Sequence, residues 1–263
     1  MHLRILLILL ILNCKTYNFI QKETVPELNS RYKIVSFGFY PMKSRESNVS
    51  SSTKRKRYKV TTMLDTNRNL KKLVSFAIPV EKNTSTSLNE SISDENVKEF
   101  TDRYLSETKG TGYLEIEKLF EKTPTTDGKY KYRMKYVNTD YYLVGYLNKP
   151  FEPDSITMKG YILSAITVNL SLFSLGVLPI LTEKNVYTRF DLYDKKLNRI
   201  DSKELQTNFY SIYSWWVFEN KECENENQLE FFSSCSLFSK EIPNYIYETE
   251  INKLTRWLET VLD

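Results

Sequence analysis

Residues 186–193, VYTRFDLY, and residues 200–213, IDSKELQTNFYSIY, carry the two clearest strand signals in the chain. Apolar and polar side chains alternate along the first stretch, and this period of two is typical of a strand with one buried face. The residues between them, DKKLN at 194–198, form a polar turn. The sequence therefore predicts an antiparallel β-hairpin at this point.

Several further stretches favour β structure. The chain has 19 Tyr and 14 Phe but only 7 Gly, and aromatic side chains suit the half-buried surface of a pleated sheet. The Ser-rich, charged residues 43–57 indicate a loop. The other predicted strands lie at 31–40, 58–63, 73–80, 130–136 and 141–147.

Two short helices are predicted in the middle of the chain. In the first, Ser93 or Asp94 can cap the N-terminus, and Val97, Phe100 and Tyr104 recur at helical spacing on one face. The second has its apolar residues at Leu114, Ile116, Leu119 and Phe120.

A third helix is predicted at the C-terminus, over residues 245–262. An apolar stripe of this kind must pack on another element, and the sheet is the available one. The predicted fold class is therefore α+β, with a mixed or mostly antiparallel sheet and a C-terminal helix packed on it. The stripe consists of Ile246, Ile251, Leu254, Trp257, Leu258 and Val261.

Residues 161–181, YILSAITVNLSLFSLGVLPIL, form an uncharged segment. Its length is sufficient for a membrane-spanning helix, which leaves that alternative open. However, Asn169, Gly176 and Pro179 weaken or break such a helix, and residues 166–172 alternate with period two. We expect a buried helix or a helix-to-strand corner here, with contact to a membrane surface as a further option.

The N-terminal residues 1–14, MHLRILLILLILNC, combine one arginine, an aliphatic run and a cysteine. The run is too short to span about 30 Å of hydrocarbon, so it predicts an export signal rather than an anchor. The end of the segment resembles a bacterial lipobox, although Asn13 replaces the usual small residue, as in the looser lipobox of spirochaete lipoproteins. An ordinary signal peptide with an incidental cysteine is the alternative.

The lipobox resemblance implies that Cys14 carries palmitate-class acyl chains and holds the protein on a membrane. Residues 15–30 are polar and aperiodic, and the remaining length suits one large domain or two small ones, so three parts are predicted. These are a signal peptide at 1–13, a polar tether at 14–30, and a single extracytoplasmic domain at 31–263.

Histidine is nearly absent, and this excludes several kinds of catalysis. The one histidine is His2, which lies inside the predicted signal. Ser-His-Asp and Cys-His machinery and histidine-ligated zinc are therefore excluded from the mature chain. We predict no cofactor, no metal and no enzymatic activity. The net charge of +4 is too small to suggest nucleic-acid binding.

Four residues near the C-terminus are further candidates. Cys223 and Cys235 could close a disulfide loop in an oxidising compartment, and two free thiols are the alternative. Trp215 and Trp216 form an aromatic pair that suits either a membrane or partner contact or the end of the core.

Residues 140–263 provide a second resemblance. The segment SLGVLP at 174–179, the strand end DLYDKKL at 191–197 and the SWW at 214–216, followed by a terminal helix, look like bacterial outer-membrane lipoproteins, especially those of spirochaetes. The resemblance implies the fold of outer-membrane assembly and peptidoglycan-activator lipoproteins, which act by binding. No catalytic residue is carried over.

Two functional hypotheses follow. The first is a lipid-anchored envelope protein at the outer membrane that binds or assembles with another envelope protein. The second is an exported, carboxylate-dependent hydrolase acting on glycans. An exposed apolar patch would favour the first, and a cleft with paired carboxylates the second. A eukaryotic secreted protein is a further alternative, since Asn48, Asn83, Asn89 and Asn169 begin Asn-x-Ser/Thr patterns.

Overall fold

The computed structural model describes residues 15–19, 31–49, 57–124, 130–147, 155–214 and 244–262. Helices and a mostly antiparallel mixed sheet occur together in these ranges, which confirms the predicted α+β class. The described α-helices are α1 (Asp94–Glu107), α2 (Tyr113–Leu119), α3 (Met158–Phe173) and α4 (Asn244–Leu262). The described strands are β1 (Lys15–Phe19), β2 (Ile34–Val49), β3 (Arg57–Leu64), β4 (Ile78–Pro79), β5 (Thr84–Leu88), β6 (Phe120–Pro124), β7 (Tyr130–Val137), β8 (Tyr141–Leu147), β9 (Ser155–Ile156), β10 (Ile180–Asp194) and β11 (Arg199–Ser214).

The chain packs as two compact units. We call them the α1 unit, with the described residues of 24–153, 187–205 and 251–263, and the α3 unit, with those of 1–23, 154–186 and 206–250. Strands β10 and β11 and helix α4 each have residues in both. The single domain expected over 31–263 stays a prediction.

In the α1 unit, β2 is the strand around which the others are arranged. It pairs antiparallel with β3 and parallel with β8, and β8 in turn pairs antiparallel with β10. Strand β2 is longer than predicted, because residues 43–49 continue its pairing with β3. The loop expected at 43–57 is therefore wrong at both ends. Residues 43–49 and residue 57 are strand residues, because the pairing of β2 with β3 outweighs their polar composition.

A glycine allows β2 and β8 to approach each other. Gly38 has a positive φ of 80°, and a Cβ at this position would lie 2.7 Å from the carbonyl oxygen of Gly145 on β8. Gly145 has no room for a side chain either, since its Cβ would lie 2.8 Å from the ring of Phe39. The register between the two strands shifts after Gly38. A side chain therefore fits at neither Gly38 nor Gly145.

Helix α1 forms where the sequence predicts it. The Ser93 side chain accepts a hydrogen bond from the backbone N–H of Asn96, so Ser93 rather than Asp94 is the N-cap. Phe100 and Tyr104 are buried against Phe37 of β2, with ring centroids 5.7 and 4.7 Å from the Phe37 ring. The three-stranded sheet β5-β7-β6 and helix α2 contribute further residues to this core.

The predicted hairpin is confirmed as β10 and β11. Its turn is held by Asp194, whose carboxylate accepts hydrogen bonds from the backbone N–H groups of Lys196 and Asn198, each at 2.8 Å. This is the Asx-type turn for which aspartate is suited, because its side chain bonds backbone donors further along the turn.

Helix α4 confirms the predicted C-terminal helix. The Trp257 indole N–H donates a 2.9 Å hydrogen bond to Asp201 on β11, which ties the helix to the sheet. Val261 is only half-buried. The other predicted stripe residues are buried: Ile246, Ile251, Leu254, Trp257 and Leu258.

In the α3 unit, β1 pairs antiparallel with β11, with Lys15 opposite Ser214 and Phe19 opposite Tyr210. Residues 15–19 of the expected tether are thus a sheet strand. The sequence KTYNF is too short to show a strand period, and its partner is far away along the chain. Strand β9 pairs with β10 in the same unit.

Candidate interaction surface

Helix α3 begins and ends with well-formed caps. The Thr157 side chain accepts a hydrogen bond from the backbone N–H of Gly160 at 2.9 Å. At the other end, the backbone N–H of Gly176 donates to the carbonyl of Ser171 at 2.7 Å, which forms a Schellman motif. Leu175 occupies the left-handed position of this motif with a φ of 54°. The chain then turns through Pro179 into β10.

The inward side of α3 consists mainly of small residues, with Leu163 as a half-buried exception. Gly160 and Thr167 are buried, and Ser164, Ser171 and Ser174 are half-buried. They lie on one face because they recur every three or four residues. A Cβ at Gly160 would lie 2.0 Å from the carbonyl oxygen of Glu183, so the helix touches the β10 backbone directly. Small side chains on this face permit that approach.

Several hydrogen bonds join α3 and its N-cap residue to β10. The backbone N–H of Leu181 donates to the Thr167 hydroxyl at 3.0 Å, and the backbone N–H of Thr157 donates to the carbonyl of Glu183 at 3.0 Å. The Thr182 hydroxyl donates to the carbonyl of Gly160 at 3.4 Å. Each such bond contributes about 1 kcal/mol net.

The outward side of α3 and the turn after it are apolar and exposed. The side chains of Phe173, Leu175 and Leu172 are 88%, 78% and 71% exposed. Asn169 is an exposed polar residue on this side of the helix, and its side-chain amide donates to the carbonyl of Ala165. We call this surface the apolar face; it comprises Met158, Tyr161, Ile162, Ile166, Val168, Leu170, Leu172, Phe173, Leu175, Val177 and Leu178.

The burial expected for 161–181 is therefore wrong, although the expected helix-to-strand corner is present. The segment puts its small, hydroxyl-bearing residues inside and its large apolar residues outside, which inverts the usual pattern of a surface helix. None of the helices that the structure describes combines the length and hydropathy needed to cross a membrane.

The charges nearest the apolar face lie at its edge. No Asp, Glu, Lys or Arg occurs from 160 to 182. The Lys159 ammonium donates to the Tyr210 hydroxyl at 2.9 Å and lies 3.5 Å from the Glu183 carboxylate. The hydrogen bond with Tyr210 and the negative charge of Glu183 raise the pKa of Lys159. The apolar face itself is thus uncharged.

A cleft in the α1 unit is the second candidate site. It has a volume of about 430 Å³ and lies beside the N-terminus of α1. Its polar lining includes Glu90, Asp94 and Glu95 together with Lys131 and Arg133. Lys131 and Asp94 form an ion pair with each other. The cleft therefore holds carboxylates, and one of them is paired with a cation.

Two buried carboxylates in the α1 unit form ion pairs. The Arg103 guanidinium donates to Asp191 at 2.6 Å, and the Ser202 hydroxyl donates to the same carboxylate at 2.6 Å. Burial alone would raise the pKa of Asp191, but these bonds and the charges of Arg103 and Arg189 outweigh it and lower the pKa. Asp191 is therefore held as an anion.

The second buried carboxylate belongs to a cluster of two lysines and two glutamates. Glu115 is 3% exposed and accepts a 2.5 Å hydrogen bond from Lys118. The buried Lys71 bridges to Glu81 at 2.5 Å and to Glu115 at 3.5 Å. Burial raises the pKa of Glu81, yet the hydrogen bond and charge of Lys71 prevail and lower it. No group of three or more metal-ligating side chains occurs within the described ranges.

Cys14, Cys223, Cys235, Trp215 and Trp216 all lie outside the described residues. The structure instead identifies the apolar face as a candidate site. Hydrophobicity alone did not show which side of this helix is exposed. The signal that could have oriented it is the helical spacing of Gly160, Thr167 and the serines, since close helix contacts favour small residues.

No protein-family model matches this sequence, and no curated protein and no solved structure matches it either.

Proposed function

We propose that this protein is a lipid-anchored lipoprotein of the cell envelope, held on the outer membrane through Cys14, with a non-catalytic binding or assembly role. The observation that supports a binding role is the apolar face of α3. Soluble proteins rarely expose contiguous apolar surface beyond a few hundred Å², and larger patches mark sites of protein or membrane interaction. Its partners are the membrane and another envelope protein.

The position of β1 is compatible with the anchor. Cys14 directly precedes Lys15, the first residue of β1. An acyl group on Cys14 would therefore attach next to the edge of the sheet rather than at the end of a long tether. Each buried methylene of an acyl chain contributes about 0.8 kcal/mol to membrane binding, so two or more chains retain a folded domain on the bilayer.

The anchor is tested by mass spectrometry of the mature N-terminus. We expect the wild-type chain to begin at an acylated Cys14 and to sediment with membranes, and the Cys14→Ala chain to lose both properties. Cys223→Ala is the matched control, because it removes a thiol but leaves the proposed lipid site. Detection of an unacylated wild-type chain that is released as freely as Cys14→Ala would refute the proposal. Alkylation of the same samples reports whether Cys223 and Cys235 are bonded.

The alternative is a carboxylate-dependent glycan hydrolase, and the cleft beside α1 is the observation in its favour. A general acid of that chemistry needs a raised pKa, whereas the ion-paired Asp191 and Glu81 have lowered ones. One of the carboxylates that line the cleft, Glu90, Asp94 or Glu95, would have to act. Glycan cleavage by the wild-type protein that Glu90→Gln, Asp94→Asn or Glu95→Gln abolishes would establish the hydrolase.

A further inference from the structure

We propose that the apolar face of α3 inserts into the interfacial layer of the lipid bilayer and forms a second membrane attachment beside Cys14. This inference rests on the proposed function and identifies the occupant of its binding surface. The occupant is the boundary between lipid headgroups and acyl chains. A partner protein and a second copy of this chain are the competing occupants.

The composition of the apolar face favours lipid over protein. Protein interfaces obtain most of their binding energy from Trp, Tyr and Arg anchors, while Leu and Val are under-represented among such residues. The apolar face is mainly Leu, Ile and Val, with one Tyr and one Phe. The chain carries no charge from 160 to 182. Such a surface offers neither the ion pairs nor the directional bonds that fix the orientation of a protein partner.

The shape of the apolar face also favours lipid. It consists of the outward side of one helix and the turn after it, which together form a protruding surface. Its most exposed residues, Phe173 and Leu175, lie together at the C-terminal end of α3. Leu175 projects from a left-handed backbone position, which is unfavourable for a residue with a side chain. An interfacial helix buries its apolar residues about 5–10 Å into the headgroup and acyl boundary, and a protruding apolar tip suits that depth.

Strand β1, which begins one residue after Cys14, and the apolar face belong to the same α3 unit. Lys15 follows Cys14 and pairs with Ser214, and Phe19 pairs with Tyr210 on the same strand. Ser214 and Tyr210 are about 13 Å apart along β11, from the rise of an antiparallel strand. The Tyr210 hydroxyl accepts the hydrogen bond from Lys159 in the first turn of α3. Acyl chains at Cys14 therefore place a bilayer within reach of the start of this helix.

Two attachments have a physical reason. The acyl chains on Cys14 retain the protein on the bilayer, but a lipid anchor at one end of the chain does not fix how the domain is turned. An apolar surface on the folded domain fixes that orientation when it inserts beside the anchor. We therefore expect the domain to lie with α3 against the lipid.

The test places a tryptophan on the apolar face of the full-length mature protein. Phe173→Trp and the control Leu114→Trp, an exposed apolar position on α2, are each reconstituted in phosphatidylethanolamine and phosphatidylglycerol vesicles with or without brominated acyl chains. The emission of the parent protein is subtracted. We expect brominated lipid to remove roughly half or more of the emission added by Phe173→Trp, because bromines in the upper acyl chain lie at interfacial depth. The emission added by Leu114→Trp should not change.

Equal insensitivity of the two variants to brominated lipid would overturn the inference. An emission from Phe173→Trp that shifts with protein concentration but not with brominated lipid would overturn it in favour of a second copy of the chain. Failure of the anchor is distinguished by the N-terminal mass measurement. An acylated protein without quenching refutes only this inference, and quenching in an unacylated protein refutes the anchor while the apolar face remains a membrane surface.

Discussion

Helices α1 and α3 begin and end in the same way, but they bury different kinds of residue. Both have a hydroxyl N-cap, Ser93 or Thr157, and both end in a Schellman motif with a non-glycine residue in the left-handed position. In α1 that residue is the exposed Lys109, and in α3 it is the exposed Leu175. Helix α1 buries aromatic rings, whereas α3 buries a glycine and a threonine.

The comparison separates the amount of apolar surface on a helix from the place where that surface is buried or exposed. The apolar content of a helix indicates how much surface prefers to leave water, but it does not say where that surface goes. In α1 it goes into the core of the same unit. In α3 the small face takes the position against the sheet, and the apolar side chains remain available for an external partner.

The largest test of this contrast compares two phenylalanines. Phe100→Ala should lower the free energy of unfolding by about 3–5 kcal/mol, since it leaves a cavity in a packed core. Phe173→Ala should change it by less than about 0.5 kcal/mol, since the side chain is exposed. Urea denaturation followed by circular dichroism measures both. A large loss for Phe173→Ala would mean that the apolar face packs inside the molecule.

A second test concerns the ion pair that fastens α1 to β10. Arg103→Met should destabilise the protein by about 3 kcal/mol, because it leaves the buried Asp191 without its main partner. The double variant Arg103→Met with Asp191→Asn should recover part of that loss. A double variant as unstable as the sum of the two single ones would show that the pair is not coupled.

The same pair predicts acid sensitivity. The pKa of Asp191 is lowered in the folded protein, so its stabilisation is complete above the pKa of an unfolded aspartate, about 3.9, and disappears as the pH falls through the lower folded value. Unfolding free energies at several acidic pH values should therefore decline less steeply for Asp191→Asn than for the wild type. Parallel curves would contradict the prediction.

A smaller effect is expected where α3 touches β10. Gly160→Ala should destabilise the helix contact by about 2 kcal/mol, because the new methyl group would overlap the backbone of Glu183. Asn169→Ala, on the exposed side of the same helix, is the control. Amide hydrogen exchange should accelerate across α3 in Gly160→Ala and not in the control. Unchanged protection would mean that the helix does not rest on the strand.

The smallest effect concerns the two N-caps. Ser93→Ala and Thr157→Ala should each cost about 1 kcal/mol, since each removes an acceptor for a backbone donor of the first turn. Ser93→Thr and Thr157→Ser keep the hydroxyl and should be nearly neutral. The unfolding free energies of all four variants test this prediction. If Ser93→Thr and Thr157→Ser lose as much stability as the two alanine variants, the capping role is contradicted.

The sequence predicted those parts of the fold that local patterns determine. Strict alternation identified the β10–β11 hairpin, and helical spacing with a cap identified α1. The parallel pairing of β2 with β8 was not predictable, because it joins residues about a hundred positions apart without a local signal. Strand β1 was missed for the same reason.

The candidate site was predicted only in part. The uncharged segment at 161–181 was identified with its helix-to-strand corner, but the expected burial was wrong because its large apolar side chains are exposed. Gly160 and Thr167 determine which face of α3 is buried, because they contact the backbone of β10. That strand is a separate element, so the sequence of the helix alone does not show the contact. Cys14, the residue proposed for the anchor, lies outside the described residues, so its role stays a prediction.

The close contact of β2 and β8 at their glycines provides a pattern for recognising distant relatives of this protein. Surface residues such as those of α3 can change with the partner, whereas Gly38 and Gly145 are fixed by the backbone and ring atoms that would collide with any side chain. A distant relative should therefore keep a glycine followed by an aromatic residue on one strand and a glycine facing it on the parallel strand. That pairing gives a search pattern that survives when the overall sequence has diverged.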